Sequence, residues 1–114
     1  MLHEMTLFPK PYASIASGQK TIELRLYDEK RQSIHIGDQI RFTNTEDASQ
    51  TTLCEVVGLH VFKDFRELYE NLPLLQCGYT PEDVDNAHPD DMLTYYSKEK
   101  QAQYGVVGIE LKRI

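Results

Sequence analysis

The 114-residue chain has no tryptophan, only two cysteines, six glycines and five prolines. Cys54 and Cys77 stand far apart and match neither a metal-ligand nor a redox spacing, so free, buried or half-buried thiols are expected. The four histidines, His3, His35, His60 and His88, are equally scattered. Zinc ligands in a pair usually stand about two to five residues apart, so neither a metal site nor a cofactor is expected. No apolar run approaches the roughly 18 residues of a membrane span, and the first residues, with Glu4 and Pro9, do not read as a signal peptide. A cytoplasmic protein is the default that follows. Basic residues are in deficit, twelve against eighteen acids, for a net charge of −6. That balance argues against an extended grip on duplex DNA or RNA.

What is present is ordinary for one globular domain spanning residues 1–114: 40% hydrophobic and 26% charged residues. The charge, however, is uneven. Residues 20–41 hold five basic and four acidic side chains, and the remainder holds seven and fourteen. A small basic-lined pocket on an acidic body suits a compact anionic or polar ligand, such as a nucleotide.

The centre of that window is Gly18-Gln19-Lys20-Thr21-Ile22-Glu23-Leu24-Arg25-Leu26. Read as a strand over Lys20–Leu26, it has period two, with Ile22, Leu24 and Leu26 on a core face and Thr21, Glu23 and Arg25 on the other. Alternate residues stand about 7 Å apart, which sets a hydroxyl, a carboxylate and a guanidinium in a row. Lys20 follows a glycine-bearing turn, where its long stem can swing toward a pocket at the sheet rim. The same polar face also describes an ordinary solvated surface with a weak ion pair.

Gly18-x-Lys20-Thr21-Ile22-Glu23-x-Arg25, then Asp28-x-Lys30-Arg31, then Ile36-Gly37-Asp38-x-Ile40-x-Phe42 resembles the signature of the ASCH domain family. Tyr104-Gly105-Val106-Val107-Gly108-Ile109-Glu110-Leu111 resembles its closing strand. The resemblance implies an α+β fold, a small mixed β-barrel of the PUA-like type flanked by short helices. It also implies a pocket overhung by the Tyr27–Ser33 loop, with Lys30 or Arg31 facing a ligand.

In order, the chain reads as a strand over Leu2–Phe8, a short helix over Pro11–Ser17, the central strand, and the polar loop Tyr27–Ser33. A strand at Gln39–Thr43 follows, then a polar hairpin loop at Asn44–Thr51 and an apolar strand at Leu53–Val61. Asp38, after Gly37, reads as a turn residue bonding nearby amides. Asp64 and Glu67 mark a capped helix over Asp64–Asn71, and Thr80-Pro81-Glu82-Asp83 reads as a helix start. A further short helix is expected at Pro89–Tyr96, and a last strand at Gly105–Ile114. Tyr96 and Tyr104 are aromatics placed to stack on a base, Tyr104 being expected near the start of the central strand.

Two functions of different class follow. One is a module that binds RNA or a nucleotide, with basic side chains on phosphate and tyrosines on bases. The other is a small amidohydrolase acting on N-acylated cytidine-type nucleosides, as some ASCH members do with a lysine, a hydroxyl and a carboxylate. Lys20 matches the family lysine, the catalytic threonine falls in register with Glu23, Thr21 supplies a nearby hydroxyl, and Glu82 is nearest to the second carboxylate. A ribonuclease of the same fold, using Lys20, Arg25 and a tyrosine, ranks below both because no histidine pair is evident.

Overall fold

One curled sheet of five strands carries the chain, and its two ends do not meet. The computed structural model describes all residues, Met1–Ile114. Its strands are β1 (Leu2–Leu7), β2 (Ile22–Leu26), β3 (Gln39–Asn44), β4 (Asp47–Phe62) and β5 (Val106–Arg113), in the order β1-β3-β4-β5-β2. Only the β1–β3 pair is parallel. The result is a half-barrel in an α+β fold, whose open seam lies between β1 and β2.

The concave face holds one apolar cluster. His3, Met5 and Leu7 alternate inward from β1, as period two requires, and Met5 and Leu7 join Ile40 and Phe42 of β3 and Val107 and Ile109 of β5. Helix α1 (Pro9–Ala16) lays Ile15 into this cluster. The convex face near β2 and β5 holds a second cluster, in which Ile22, Leu24, Leu26 and Val106 pack on Phe65 and Leu68 of α3 (Phe65–Asn71). β5 is therefore buried on both sides. Gly108 marks the tightest point: a Cβ there would stand 2.6 Å from Leu72 Cδ1 and 3.1 Å from Ile22 Cγ2. Gly108→Val is expected to lower stability by about 2 kcal/mol through overpacking, measured as a shift of the urea midpoint. A midpoint that does not move would place α3 farther from the sheet than described.

Local signals explain several boundaries. Asp64 Oδ1 accepts from Glu67 N at 2.9 Å and caps α3. Asp38 accepts from His35 N at 3.0 Å, as a turn residue should, and also meets the buried His3 Nε2 at 2.9 Å, tying β1 to the turn before β3. Three readings need correction, and one helix is unexpected. The Tyr27–Ser33 loop contains a helical turn, α2 (Glu29–Gln32), because Asp28 caps Arg31 N at 3.1 Å. The expected loop Asn44–Thr51 is mostly strand: β3 and β4 are joined by Thr45 and Glu46 alone, Asp47 pairs with Asn44 and Thr51 with Thr43 across a register shift, and the exposed residues between them carry no apolar pattern. Thr80 does not start an α-helix; its own amide donates to Asp83 Oδ1 at 2.6 Å, and only 3-10 turns form, at Val84–Asn86 and Pro89–Thr94. Finally, α4 (Lys98–Tyr104), capped by Ser97, precedes β5.

Candidate functional site

β2 pairs with β5 so that Glu23 stands opposite Ile109 and Arg25 opposite Val107. Both partners belong to the concave cluster, so Glu23 and Arg25 turn into the curl while the apolar face of β2 turns to α3. A solvated face is thereby excluded: Glu23 is 4% exposed. Its Oε1 lies 2.7 Å from Lys20 Nζ and its Oε2 accepts from Arg25 Nε at 2.8 Å. Arg25 Nη2 crosses the seam and donates to the Thr6 carbonyl of β1 at 2.9 Å. Lys30 Nζ does the same to the Glu4 carbonyl at 2.9 Å. Two cationic side chains thus occupy edge carbonyls of β1 that a sixth strand would otherwise take.

Burial pushes the Glu23 carboxyl up, but the charges of Lys20 and Arg25 and their hydrogen bonds outweigh it and hold it below its ordinary 4.5. The Arg25 guanidinium is correspondingly held up by Glu23 against the effect of burial. Two cations on one carboxylate leave a net positive site with low exposure. Lys20 has three N–H donors, and Glu23 is its only partner within the fold. The remaining donors are available to a ligand oxygen.

Gly78 sets the position of that ammonium. It adopts φ +113°, which L side chains rarely adopt, and a Cβ there would meet Lys20 Cδ at 3.3 Å. The Gln76 carbonyl accepts from both Thr21 N and Ile22 N, at 2.9 and 3.0 Å, so this loop also anchors the start of β2. Cys77, beside Gly78, is no nucleophile at neutral pH, because burial pushes its thiol up to about 11 against the pull of Lys20.

Depression of the Glu23 carboxyl makes stability acid-sensitive. Its contribution is fully present above the unfolded value near 4.5 and is lost as pH falls through the lower folded value. Urea midpoints are expected to be flat from neutral pH to about 5 and to fall below that, with a shallower fall in Glu23→Gln. Identical acid profiles for the two proteins would contradict the ion-pair reading.

Lys20, Glu23 and Arg25 open on a cleft of about 810 Å³ between the seam and the segment from Cys77 to Tyr96. Tyr96 lines it, stacked on Phe65 with centroids 5.9 Å apart, and burial raises its phenol. A hydrogen-bonded chain also lines the cleft. Tyr69 and Tyr79 hydroxyls are 2.7 Å apart, and Tyr79 donates to Asp91 Oδ2 at 2.7 Å. Burial pushes Tyr69 up to about 12 and Tyr79 further, so both are neutral hydrogen-bonding groups.

Other sequence-predicted residues lie elsewhere. Thr21 is outside the cleft lining, with Oγ1 donating to Gln76 Oε1 at 3.4 Å. Lys30 is spent on the β1 edge, and Arg31 pairs with Asp28 at 3.2 Å. Tyr104 packs on the convex cluster with Lys100 5.7 Å from its ring centre. The antiparallel β2–β5 register puts it beside the end of β2, not its start, since Leu26 stands opposite Val106. Glu82 is exposed and outside the lining. The cleft adds Phe8, Lys10, Tyr69, Gly78, Tyr79, Asp83 and Asp91, distant in sequence from the motif and carrying no local spacing signal. No three His, Cys, Asp or Glu side chains converge in a metal-holding arrangement.

The ASCH domain family model matches residues 5–114. Among solved structures, hypothetical protein PH0355 is 32% identical with a TM-score of 0.81, and each chain is covered in full. Protein PF0455 from Pyrococcus furiosus is 31% identical with a TM-score of 0.73, over 100% of this chain and 98% of that one. ASCH from Zymomonas mobilis, at 14% identity and a TM-score of 0.68 over 97% of this chain and 66% of that one, is similar in fold. No curated protein sequence matches the chain. The half-barrel, the matched motif positions and the full-length similarity together make this chain a member of the ASCH domain family, with its PUA-like fold.

Proposed function

We propose that the domain binds a nucleotide unit, free or within single-stranded RNA, in the cleft between the seam and the Cys77–Tyr96 segment. The observation that carries this reading is Lys20: a barely exposed ammonium, fixed by Glu23, with unspent donors in a tyrosine-walled cleft. Phosphate or carbonyl oxygen satisfies those donors, and the aromatic wall offers a surface for a base. A net charge of −6 restricts this to a compact ligand and disfavours long duplexes. A cytoplasmic setting, where such ligands abound, fits this role. No helix is long and apolar enough to cross a membrane.

Titration with nucleoside monophosphates and short single-stranded RNA is expected to give saturable binding. The log–log salt slope should be shallow, about −0.7 to −1.4, because the site offers one or two phosphate contacts. Absence of saturable binding at millimolar ligand would defeat the reading.

A second reading rests on the 2.7 Å contact of Lys20 with Glu23. A protonated lysine beside an ionised carboxylate can polarise an amide carbonyl, and water attack would then release the acyl group from an N-acylated nucleoside. Both Glu23 oxygens are already engaged, by Lys20 and Arg25, which favours a clamp over a base. Mass spectrometry of an N-acylated nucleoside panel separates the two: deacylation lost in Lys20→Ala establishes the hydrolase. The ribonuclease alternative finds no support in the cleft lining, which contains no histidine.

A further inference from the structure

We infer that the cleft holds two consecutive units of a single strand, the second base stacking at a subsite made by Phe8 and Tyr95 with Lys10 beside it. This rests on the nucleotide reading above and names the ligand class within it: a single-stranded oligonucleotide in preference to a mononucleotide.

Phe8 is 60% exposed, yet it lines the cleft at the junction of β1 and α1. It occupies the N-cap of α1 and makes no capping hydrogen bond, in a position where Ser, Thr, Asp or Asn would stabilise the helix. It contributes neither to the cap nor to the buried core, so folding gives no reason for an aromatic ring there. Tyr95 is 57% exposed and lines the same cleft from the Cys77–Tyr96 side, tilted against Tyr96 at 6.3 Å between centroids. Its hydroxyl bonds to nothing in the fold, unlike those of Tyr69 and Tyr79. Two exposed aromatics, one from each wall, are what a sequence-tolerant stacking platform requires.

Lys10 supplies the charge. It lines the cleft two residues after Phe8, and no carboxylate pairs with it. The inner cations Lys20 and Arg25 share a carboxylate on the floor, whereas Lys10 is a separate cation on the α1 side. A strand with its first phosphate at Lys20 and the next at Lys10 would place the nucleoside that follows the second phosphate beside Phe8, two residues from Lys10. A cleft of about 810 Å³ is at the large end for a single small ligand.

The test compares uridine 5′-monophosphate (pU), its dinucleotide pUpU, and a pU carrying an abasic second unit, by calorimetric titration of the full chain. Wild type is expected to bind pUpU about ten-fold more tightly than pU, with the abasic probe, which keeps the phosphate at Lys10 but lacks the second base, between the two. In Phe8→Ala and in Tyr95→Ala the dinucleotide advantage should fall below about three-fold while pU affinity is unchanged. Lys10→Ala should reduce the affinity for pUpU and for the abasic probe alike. Equal wild-type affinity for pU and pUpU overturns this inference alone, leaving the mononucleotide site. Failure of pU and pUpU alike to bind wild type overturns the nucleotide reading and this inference with it.

Discussion

Glu23→Ala is expected to cost about 3 kcal/mol of folding stability, the largest effect of any polar substitution in this chain. The reason is what remains behind. Lys20 and Arg25 have side-chain exposures of 11% and 15%, and Glu23 is the carboxylate that compensates both. Its removal leaves two like charges in a poorly solvated place. It also frees Arg25, whose Nη2 holds the β1 edge through the Thr6 carbonyl. Urea denaturation measures the loss. The double variant Glu23→Ala with Lys20→Met distinguishes charge from simple packing: deleting one orphaned cation should restore part of the stability, a non-additive result. Additive losses, or a loss below about 1 kcal/mol for the single variant, would show that the triad is not holding the seam.

Lys20→Met carries the second large effect, on ligand and not on fold. Glu23 keeps Arg25 as its partner, so the stability change should stay within about 1 kcal/mol. Nucleotide affinity should fall by about 30-fold, the worth of a charged hydrogen bond of about 2 kcal/mol. Lys20→Arg should not rescue it, because a planar fork cannot fit the space between Glu23 and Gly78 that an ammonium fills. Gly78→Ala should act in the same direction more weakly, by pressing on the Lys20 stem at 3.3 Å. If Lys20→Met unfolds the protein, the lysine is structural; if it binds nucleotide as wild type does, the ligand sits elsewhere.

The charged corner of the candidate site follows from period two alone. Lys20, Glu23 and Arg25 sit within six residues, and their spacing places both charged strand residues on one face. What that pattern could not reveal is that the face is buried, since this depends on β5 presenting Ile109 and Val107 from the far end of the chain. The rest of the cleft comes from β1, α1 and the Cys77–Tyr96 segment, and no local spacing ties Phe8 or Tyr79 to Lys20. The family resemblance supplied the fold, whose half-barrel order brings those segments together. Among the helices, α3 announced itself through Asp64 and an apolar stripe. α4 did not, because Lys98-Glu99-Lys100-Gln101-Ala102-Gln103-Tyr104 buries a glutamine where a stripe would show: Gln101 is 7% exposed and serves Phe65 N and the Tyr96 carbonyl. Lys30 illustrates the opposite case. Its charge points to a ligand contact, and the fold engages its ammonium with the Glu4 carbonyl of β1, a partner that no local spacing announces.

The strand order has a consequence for biosynthesis. β2 has a single strand neighbour, β5, so the strand bearing Glu23 and Arg25 is paired only through residues Val106–Glu110. During translation, Lys20, Glu23 and Arg25 leave the ribosome early and wait for most of the polypeptide before their strand can dock. Docking of β2 on β5 is a late, long-range event, and the cleft exists only after it. A nascent or prematurely terminated chain therefore carries the whole signature motif yet has no site.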